Sequence, residues 1–172
     1  MKCERLVDVG RRRFLRGGMV ASAGAAASAV VGAPATVRAA RARIDYPSNR
    51  LANVADLAAN EPLEITYPDA DSPGVLLKLG EAVATGVGPD GDIVAYSVLC
   101  PHKGWRLGYN AGDKILECPG HYSRFDCEAG GLQTWGHATQ NLPQFMLRVD
   151  DAGDIYAEGV DELIYGRLSN VL

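Results

Sequence analysis

The chain has 172 residues, and its 17 Lys or Arg against 21 Asp or Glu give a net charge of −4. Without residues 1–39 it keeps ten basic and nineteen acidic residues, a net charge of −9. An acidic remainder of this kind argues against nucleic acid as a partner. Its 133 residues suffice for one domain with a modest core and are too few for a second catalytic domain.

Residues 1–39 have the organisation of an export signal. Residues 10–16 read Gly-Arg-Arg-Arg-Phe-Leu-Arg, and residues 17–37 carry no charge and are rich in Gly and Ala. A charged start, a weakly apolar stretch and an exit of small residues are typical of a bacterial secretory signal. The paired arginines resemble the twin-arginine type, which exports folded proteins. The sequence therefore predicts a leader that is cleaved near Ala39, and a periplasmic location for residues 40–172.

Two other interpretations of the leader stay open. The 21 uncharged residues are long enough to cross a bilayer and would keep the protein at the membrane if the leader were not cleaved. Their Gly, Ala and Ser content and Pro34 make them a poor anchor. The basic cluster alone is also weak evidence for a nucleic-acid-binding arm.

After the leader, the sequence predicts a mostly antiparallel β fold. Residues 41–60 mix charged and small residues and are predicted to be an arm with one short helical turn. From residue 62 onward, short apolar or alternating segments are separated by turn residues, such as Pro89-Asp90-Gly91, and no long helical period appears. The predicted strands are 63–67, 75–79, 93–99, 114–117, 145–149 and 154–157.

A repeated unit of cysteine and histidine carries the chemistry. Cys100-Pro-His102 and Cys118-Pro-Gly-His121 are separated by fifteen residues. Two facing loops of this kind supply two thiolates and two imidazoles. A [2Fe–2S] cluster needs two ligands on each iron, and in the Rieske variant two histidines replace two cysteines on one iron. The sequence resembles Rieske iron–sulfur proteins at these four positions, which predicts Cys100, His102, Cys118 and His121 as the ligands.

Zinc is the competing interpretation, because a tetrahedral set of two sulfurs and two nitrogens also suits Zn²⁺. Zinc modules usually pair two cysteines and then two histidines instead of alternating them. The single residue between Cys100 and His102 also favours ligands to two different irons. Outside the motif, Cys127 is predicted to be a small, partly buried hydrophobe, and His137 a surface or partner-facing residue.

The Rieske resemblance implies a fold and roles for neighbouring residues. It implies a base domain from residues 44–95 and 140–172, interrupted by a cluster-binding insertion at about 96–139. In cytochrome bc-type members, two cysteines that form a disulfide stand where this chain has Trp105 and Gly120. The loops are therefore expected to be held by packing and hydrogen bonds.

Two further positions bear on the properties of the cluster. Ser123 matches the family serine that donates a hydrogen bond to a bridging sulfide. Phe125 stands where high-potential members carry a tyrosine that bonds a cysteine sulfur, so a lower potential is expected here. Trp105 and Phe125 are also expected to pack over the cluster and exclude water from it.

Within the Rieske proteins, the sequence resembles the small subunit of arsenite oxidase. This resemblance rests on the disulfide-free loops, on the leader, and on segments 100–104, 118–121, 135–136, 138–144 and 159–172. It implies a heterodimeric oxidoreductase in which a large molybdopterin subunit oxidises arsenite. This chain would carry the electrons onward to a periplasmic cytochrome c or cupredoxin.

Other Rieske roles remain as alternatives. They are a stand-alone periplasmic electron carrier and a subunit of a bc-type complex, the latter disfavoured by the missing disulfide pair and the poor anchor. An aromatic-ring dioxygenase is disfavoured because it needs two further histidines for a mononuclear iron site, and only His137 remains. The apolar tail 159–172 is expected to pack against the base domain or the large subunit, because chain ends fray unless they are docked.

Overall fold

The computed structural model describes residues 45–171, which fold almost entirely as short antiparallel strands. One 3₁₀ turn, Val54–Asp56, is the single helical element of this part of the chain, and none of its helices is long and apolar enough to cross a membrane. The all-β fold class predicted from the sequence is confirmed. The strands are β1 (Asn49–Asn53), β2 (Leu63–Thr66), β3 (Pro73–Lys78), β4 (Ile93–Ser97), β5 (Gly108–Asn110), β6 (Ile115–Glu117), β7 (Arg124–Asp126), β8 (Leu132–Trp135), β9 (Phe145–Val149) and β10 (Asp154–Val160).

The strands form three sheets, with the orders β1-β10-β9, β2-β3-β4 and β5-β6-β7-β8. The sheet β2-β3-β4 provides the centre of the core, because β3 and β4 are buried on both faces. Leu77 on one face belongs to the apolar cluster that includes the cysteines of the predicted site. Leu76 on the other face packs with Phe145 and Ile155 of the sheet β1-β10-β9. A short, nearly continuous apolar run is typical of a strand covered on both sides.

Each of the six predicted strands has a counterpart in the structure, but the prediction of an arm before residue 60 is wrong for residues 49–53. These residues form β1, which pairs antiparallel with β10. The register of β1 shifts between Arg50 and Ala52, and only Ala52 is fully buried. The bulge interrupts the two-residue alternation that normally reveals a strand. The predicted helical turn is present at Val54–Asp56, where Asn53 caps it.

The third sheet carries the two cysteine–histidine loops. Its strands run from Gly108 to Trp135, inside the range 96–139 expected for the insertion. The division of the chain into a base and an insertion stays a prediction, since strands β3 and β4 share one apolar core with this sheet. Strands β5, β7 and β8 went unpredicted because segments of three or four residues are too short to show a period. The predicted leader, residues 1–39, lies outside the described residues.

The C-terminal tail is docked on the sheet β1-β10-β9 and its neighbours. Ile164 is 1% exposed, and its backbone N–H donates to Asn170 Oδ1 at 2.9 Å. Asn170 Nδ2 in turn donates to the Tyr46 hydroxyl at 3.1 Å. Arg167 donates two hydrogen bonds, of 2.6 and 2.7 Å, to the Asp69 carboxylate. This fork of two parallel bonds holds the pKa of Asp69 below its usual range.

We expect Ile164→Ala to lower the free energy of unfolding by about 2–5 kcal/mol, because it removes a buried side chain and leaves a cavity beneath the tail. Leu168→Ala is the matched control, because Leu168 is fully exposed and its truncation should change stability by less than about 0.5 kcal/mol. Urea unfolding followed by fluorescence measures both. Equal losses in the two variants would contradict a docked tail.

Candidate metal centre

The first cysteine–histidine loop follows β4 and is closed by two backbone hydrogen bonds. The Cys100 N–H donates to the carbonyl of Trp105 at 2.9 Å, and the Gly104 N–H donates to the carbonyl of Cys100 at 2.7 Å. Gly104 has a φ of +70°, and a Cβ placed there would lie 2.4 Å from the Tyr165 ring. Glycine is required at this position both by the left-handed backbone and by the close approach of the tail.

The second loop, between β6 and β7, is closed in the same way. The Cys118 N–H donates to the carbonyl of Ser123 at 2.9 Å, and the Tyr122 N–H donates to the carbonyl of Cys118 at 3.0 Å. Tyr122 has a φ of +58°, a left-handed conformation that is uncommon for a residue with a side chain. In both loops, therefore, the cysteine is bonded to the fourth and fifth residues after it. The loops share one backbone design although their histidines follow the cysteines at different spacings.

The two loops bring their side chains together in two layers. The thiols of Cys100 and Cys118 are buried, at 0% and 2% exposure. Burial raises the pKa of the Cys100 thiol, and the nearby Cys118 thiol raises it further. Nearer the surface, the rings of His102 and His121 approach to 4.8 Å between centroids at an angle of 72°. Because burial disfavours a thiolate, two deprotonated sulfurs here require the positive charge of a metal.

One buried atom of this site points to a group bound between the loops. Nδ1 of His102 is buried and has no hydrogen-bond partner among residues 45–171. A buried polar atom without a partner costs about 1–3 kcal/mol, and coordination to a metal would satisfy it. Burial, with the neighbouring His121, lowers the pKa of His102 and so favours the neutral imidazole whose lone pair can bind a metal. The residues present thus fit a [2Fe–2S] cluster held by two thiolates and two imidazoles.

The contact between Trp105 and Gly120 links the two loops where bc-type proteins would have a disulfide. A Cβ placed on Gly120 would lie 3.0 Å from the Trp105 indole, so the ring rests directly on the glycine backbone. The cysteines of the described residues, Cys100, Cys118 and Cys127, are all free. Trp105 is 52% exposed, so it covers the second loop only from outside.

Phe125 and Ser123 lie deeper than Trp105. Phe125 is fully buried in the same apolar cluster as both loop cysteines, as expected for a residue that excludes water. Ser123 is also fully buried, and its Oγ accepts hydrogen bonds from the N–H groups of His137, at 3.1 Å, and Ala138, at 3.0 Å. A hydroxyl has two acceptor sites and one hydrogen to donate. Both bonds use acceptor sites, so the hydroxyl hydrogen of Ser123 is left for another acceptor.

Cys127 is fully buried in the apolar cluster that contains both loop cysteines, whereas the sequence predicted a partly buried residue. Its backbone N–H donates to the carbonyl of Lys114 at 3.1 Å. Burial raises the pKa of the Cys127 thiol to about 12, so this thiol stays protonated at neutral pH.

The sequence predicted the exposure of His137 but made no prediction of where it lies relative to the site. It is exposed, as expected, but its ring lies 5.7 Å from that of His102 and 5.9 Å from that of His121, measured between centroids. All three histidines of the chain therefore gather at one point. The local sequence gave no signal for this, because Trp135-Gly136-His137 lacks a metal-ligand spacing. The contact depends on a third loop that folds back against the second.

Comparison with known proteins places the chain in a family. Residues 48–146 match the Rieske [2Fe–2S] domain. The iodate reductase subunit IdrB of Denitromonas iodatirespirans is 42% identical over 93% of this chain and 85% of its own length. The subunit of the same name from a Pseudomonas species is 40% identical over 91% of this chain and 81% of its own length. The soluble domain of the Rieske protein II from Sulfolobus acidocaldarius has a similar structure, with a TM-score of 0.64 and 25% identity over 73% of this chain and 85% of that domain.

The chain belongs to the Rieske [2Fe–2S] family, and a [2Fe–2S] cluster is the cofactor that this membership implies. It is an electron-transfer protein of that family, and its relatives over nearly the whole length are subunits of an oxidoreductase.

We expect replacement of any one of Cys100, His102, Cys118 and His121 by alanine to abolish the Rieske electron paramagnetic resonance (EPR) signal of the reduced protein and to lower its bound iron. Cys127→Ala is the matched control, because it removes an equally buried thiol outside the two loops. EPR spectra and iron content measure both. A Cys127→Ala protein that folds but has no signal would contradict the assignment.

We expect Phe125→Tyr to raise the reduction potential, since a phenolic donor to a cysteine sulfur stabilises the added negative charge. A hydroxyl that found no acceptor in this buried place would cost about 1–3 kcal/mol of stability. Redox titration and urea unfolding of the same sample distinguish a hydroxyl that bonds the sulfur, which raises the potential, from a hydroxyl without an acceptor, which lowers the stability. An unchanged potential in a variant of unchanged stability would count against this explanation of the potential.

Proposed function

We propose that this chain is the Rieske electron-transfer subunit of a periplasmic arsenite oxidase, and that Cys100, His102, Cys118 and His121 hold its cluster. The pairing of the two loops carries the proposal: one backbone design, used twice, brings two buried thiols and two imidazoles together. When bound, the cluster supplies a one-electron carrier, with a potential in Rieske proteins of about −150 to +300 mV.

The protein's own residues decide where an electron can enter or leave. Cys100 and Cys118 face the core, where the surrounding side chains exclude water. His121 is exposed and His102 is half-buried, so the imidazole side of the site is the side that a partner can approach closely. Electron transfer therefore runs through the two histidines. Tyr122 and Trp135 line a surface pocket together with His121 and His137, and Trp105 of the first loop is also exposed. These aromatic side chains offer contact area to a partner.

The substrate is oxidised on another subunit. We propose a large molybdopterin-containing partner, in line with the resemblance to arsenite oxidase at both loops and in the tail 159–172. The geometry supports a partner of this kind, since the imidazoles lie at the surface and a second redox centre must come near them. The electron would then pass to a soluble periplasmic acceptor, a cytochrome c or a cupredoxin.

Iodate reduction is the second candidate, and the relatives favour it. Both IdrB chains align with more than nine-tenths of this chain at 40–42% identity. If this chain had the same role, electrons would flow in the opposite direction, from a soluble donor through the chain to the catalytic subunit. Sequence similarity of this subunit does not distinguish arsenite from iodate, because in this proposal neither substrate binds to it.

The direct experiment is purification of the native complex from the periplasm, with molybdenum and iron assayed together. Arsenite with an oxidised acceptor, and iodate with a reduced donor, are then tested on the same sample. We expect molybdenum to co-purify with this chain, and arsenite to reduce the acceptor. Turnover of iodate without turnover of arsenite would contradict the arsenite oxidase proposal and support an iodate reductase. A chain that purifies without a partner subunit would indicate a stand-alone electron carrier.

We expect the isolated chain to show reversible Rieske redox chemistry and no oxidation of arsenite, and addition of the large subunit to restore turnover. The reason is that this chain supplies only the electron relay. Steady-state assays with and without the large subunit, at equal concentrations of this chain, provide the measurement. Arsenite-dependent activity of the purified chain alone would refute the proposal.

A further inference from the structure

His137 lies on a third loop that is pressed against the second cysteine–histidine loop. Gly136, in this third loop, has a φ of +96°, and a Cβ placed there would lie 2.4 Å from Cα of Ser123. A side chain at position 136 would therefore not fit between the third loop and the second. The backbone N–H groups of His137 and Ala138 both donate to Ser123 Oγ. The backbone of His137 is therefore fixed relative to the loop that carries His121.

With its backbone fixed in this way, the His137 ring contacts both imidazoles of the site. Its plane is close to parallel with that of His102, at 23°, with the centroids 5.7 Å apart. It meets His121 at 76°, with the centroids 5.9 Å apart. The rings of His102 and His121 are themselves 4.8 Å apart. The three rings thus form a compact triangle, with one stacked and two edge-on contacts.

Three roles are open to a histidine in this position: a ligand, a bystander, or a support for the ligands. The ligand role is filled, because two thiolates and two imidazoles complete the set of a Rieske cluster. A bystander would need no anchor, whereas the backbone of His137 is held by a fully buried hydroxyl and a glycine with positive φ. Support is the role that explains both the anchor and the ring contacts.

We propose that His137 is a positioning residue that packs against His102 and His121 and fixes the orientation of their ring planes. The inference rests on the proposed function, because it takes these two histidines as ligands. Outer partners of metal ligands set the orientation of the ligands and so tune the metal. No protein group in the described part of the chain holds the buried Nδ1 of His102, so within the protein the orientation of this ring depends on the rings around it. Contact with the neighbouring rings is then the means by which the protein sets the angle of the His102 ring.

The test uses the full chain with its cluster, and compares His137→Ala and His137→Phe with the wild type. Trp135→Ala is the matched control, because it removes an exposed aromatic ring at the end of β8, next to the third loop, that has no ring contact with the histidines among the described residues. Iron content and circular dichroism first establish that each protein is folded and loaded. The EPR spectrum of the reduced form, with its g values and line widths, is the readout, because it responds to the orientation of the imidazoles on the iron.

His137→Ala is expected to keep its iron but to show shifted g values and broader lines, since two rings lose a support. His137→Phe, which keeps a ring, is expected to return the spectrum toward the wild type, and Trp135→Ala to leave it unchanged. Three results would overturn the proposal: a wild-type spectrum in His137→Ala, loss of iron from folded His137→Ala, or no recovery in His137→Phe. A wild-type protein without any Rieske signal would instead overturn the proposed function.

Discussion

The structure depends on one constraint, which is that two buried thiols and two imidazoles must meet at the same point. Each half of the site is a short loop in which the cysteine N–H and carbonyl are both bonded within the loop. This closure points the cysteine side chain into the core and leaves the histidine nearer the surface. Burial of a thiolate is unfavourable by itself, so the stability of the site depends on the metal that it holds.

The remainder of the protein supports these two loops. β4 leads into the first loop and β6 into the second, and both strands contribute to the apolar cluster that contains the two cysteines. The tail adds a contact from outside, because Tyr165 packs on Gly104. The indole of Trp105 rests on Gly120 where a disulfide joins the loops in bc-type proteins. Since a ring contact cannot be reduced, this link between the loops does not depend on the redox state of the surroundings.

The features that could be predicted from the sequence are those written in local patterns. The spacing of Cys100 and His102 relative to Cys118 and His121 indicated the family, and runs such as 93–99 indicated buried strands. Features that arise from contacts distant in sequence could not be predicted. β1 was missed because a bulge breaks its alternation, and three strands of the third sheet were too short to show one.

His137 illustrates the same limit at the site itself. Its neighbours in sequence contain no ligand spacing, and it reaches His102 only because Gly136 lets the third loop approach Ser123. The exposed state of His137 was predicted correctly, while its position beside the other two histidines was not. Exposure follows from residue type and composition, whereas position follows from loop packing that spans residues far apart in the chain.

We propose that two histidines and two cysteines hold the cluster, and that electrons pass through the side of the cluster bound by the imidazoles. Electron–nuclear double resonance on the reduced protein, grown with ¹⁵N-histidine, tests this claim most directly, because only directly bound nitrogens couple strongly to the electron spin. The chain has three histidines, and the number of strongly coupled nitrogens shows how many of them bind iron. Two strongly coupled nitrogens that are reduced to one in His102→Cys or His121→Cys are the expected result. No strong coupling, or three coupled nitrogens, would contradict the ligand set.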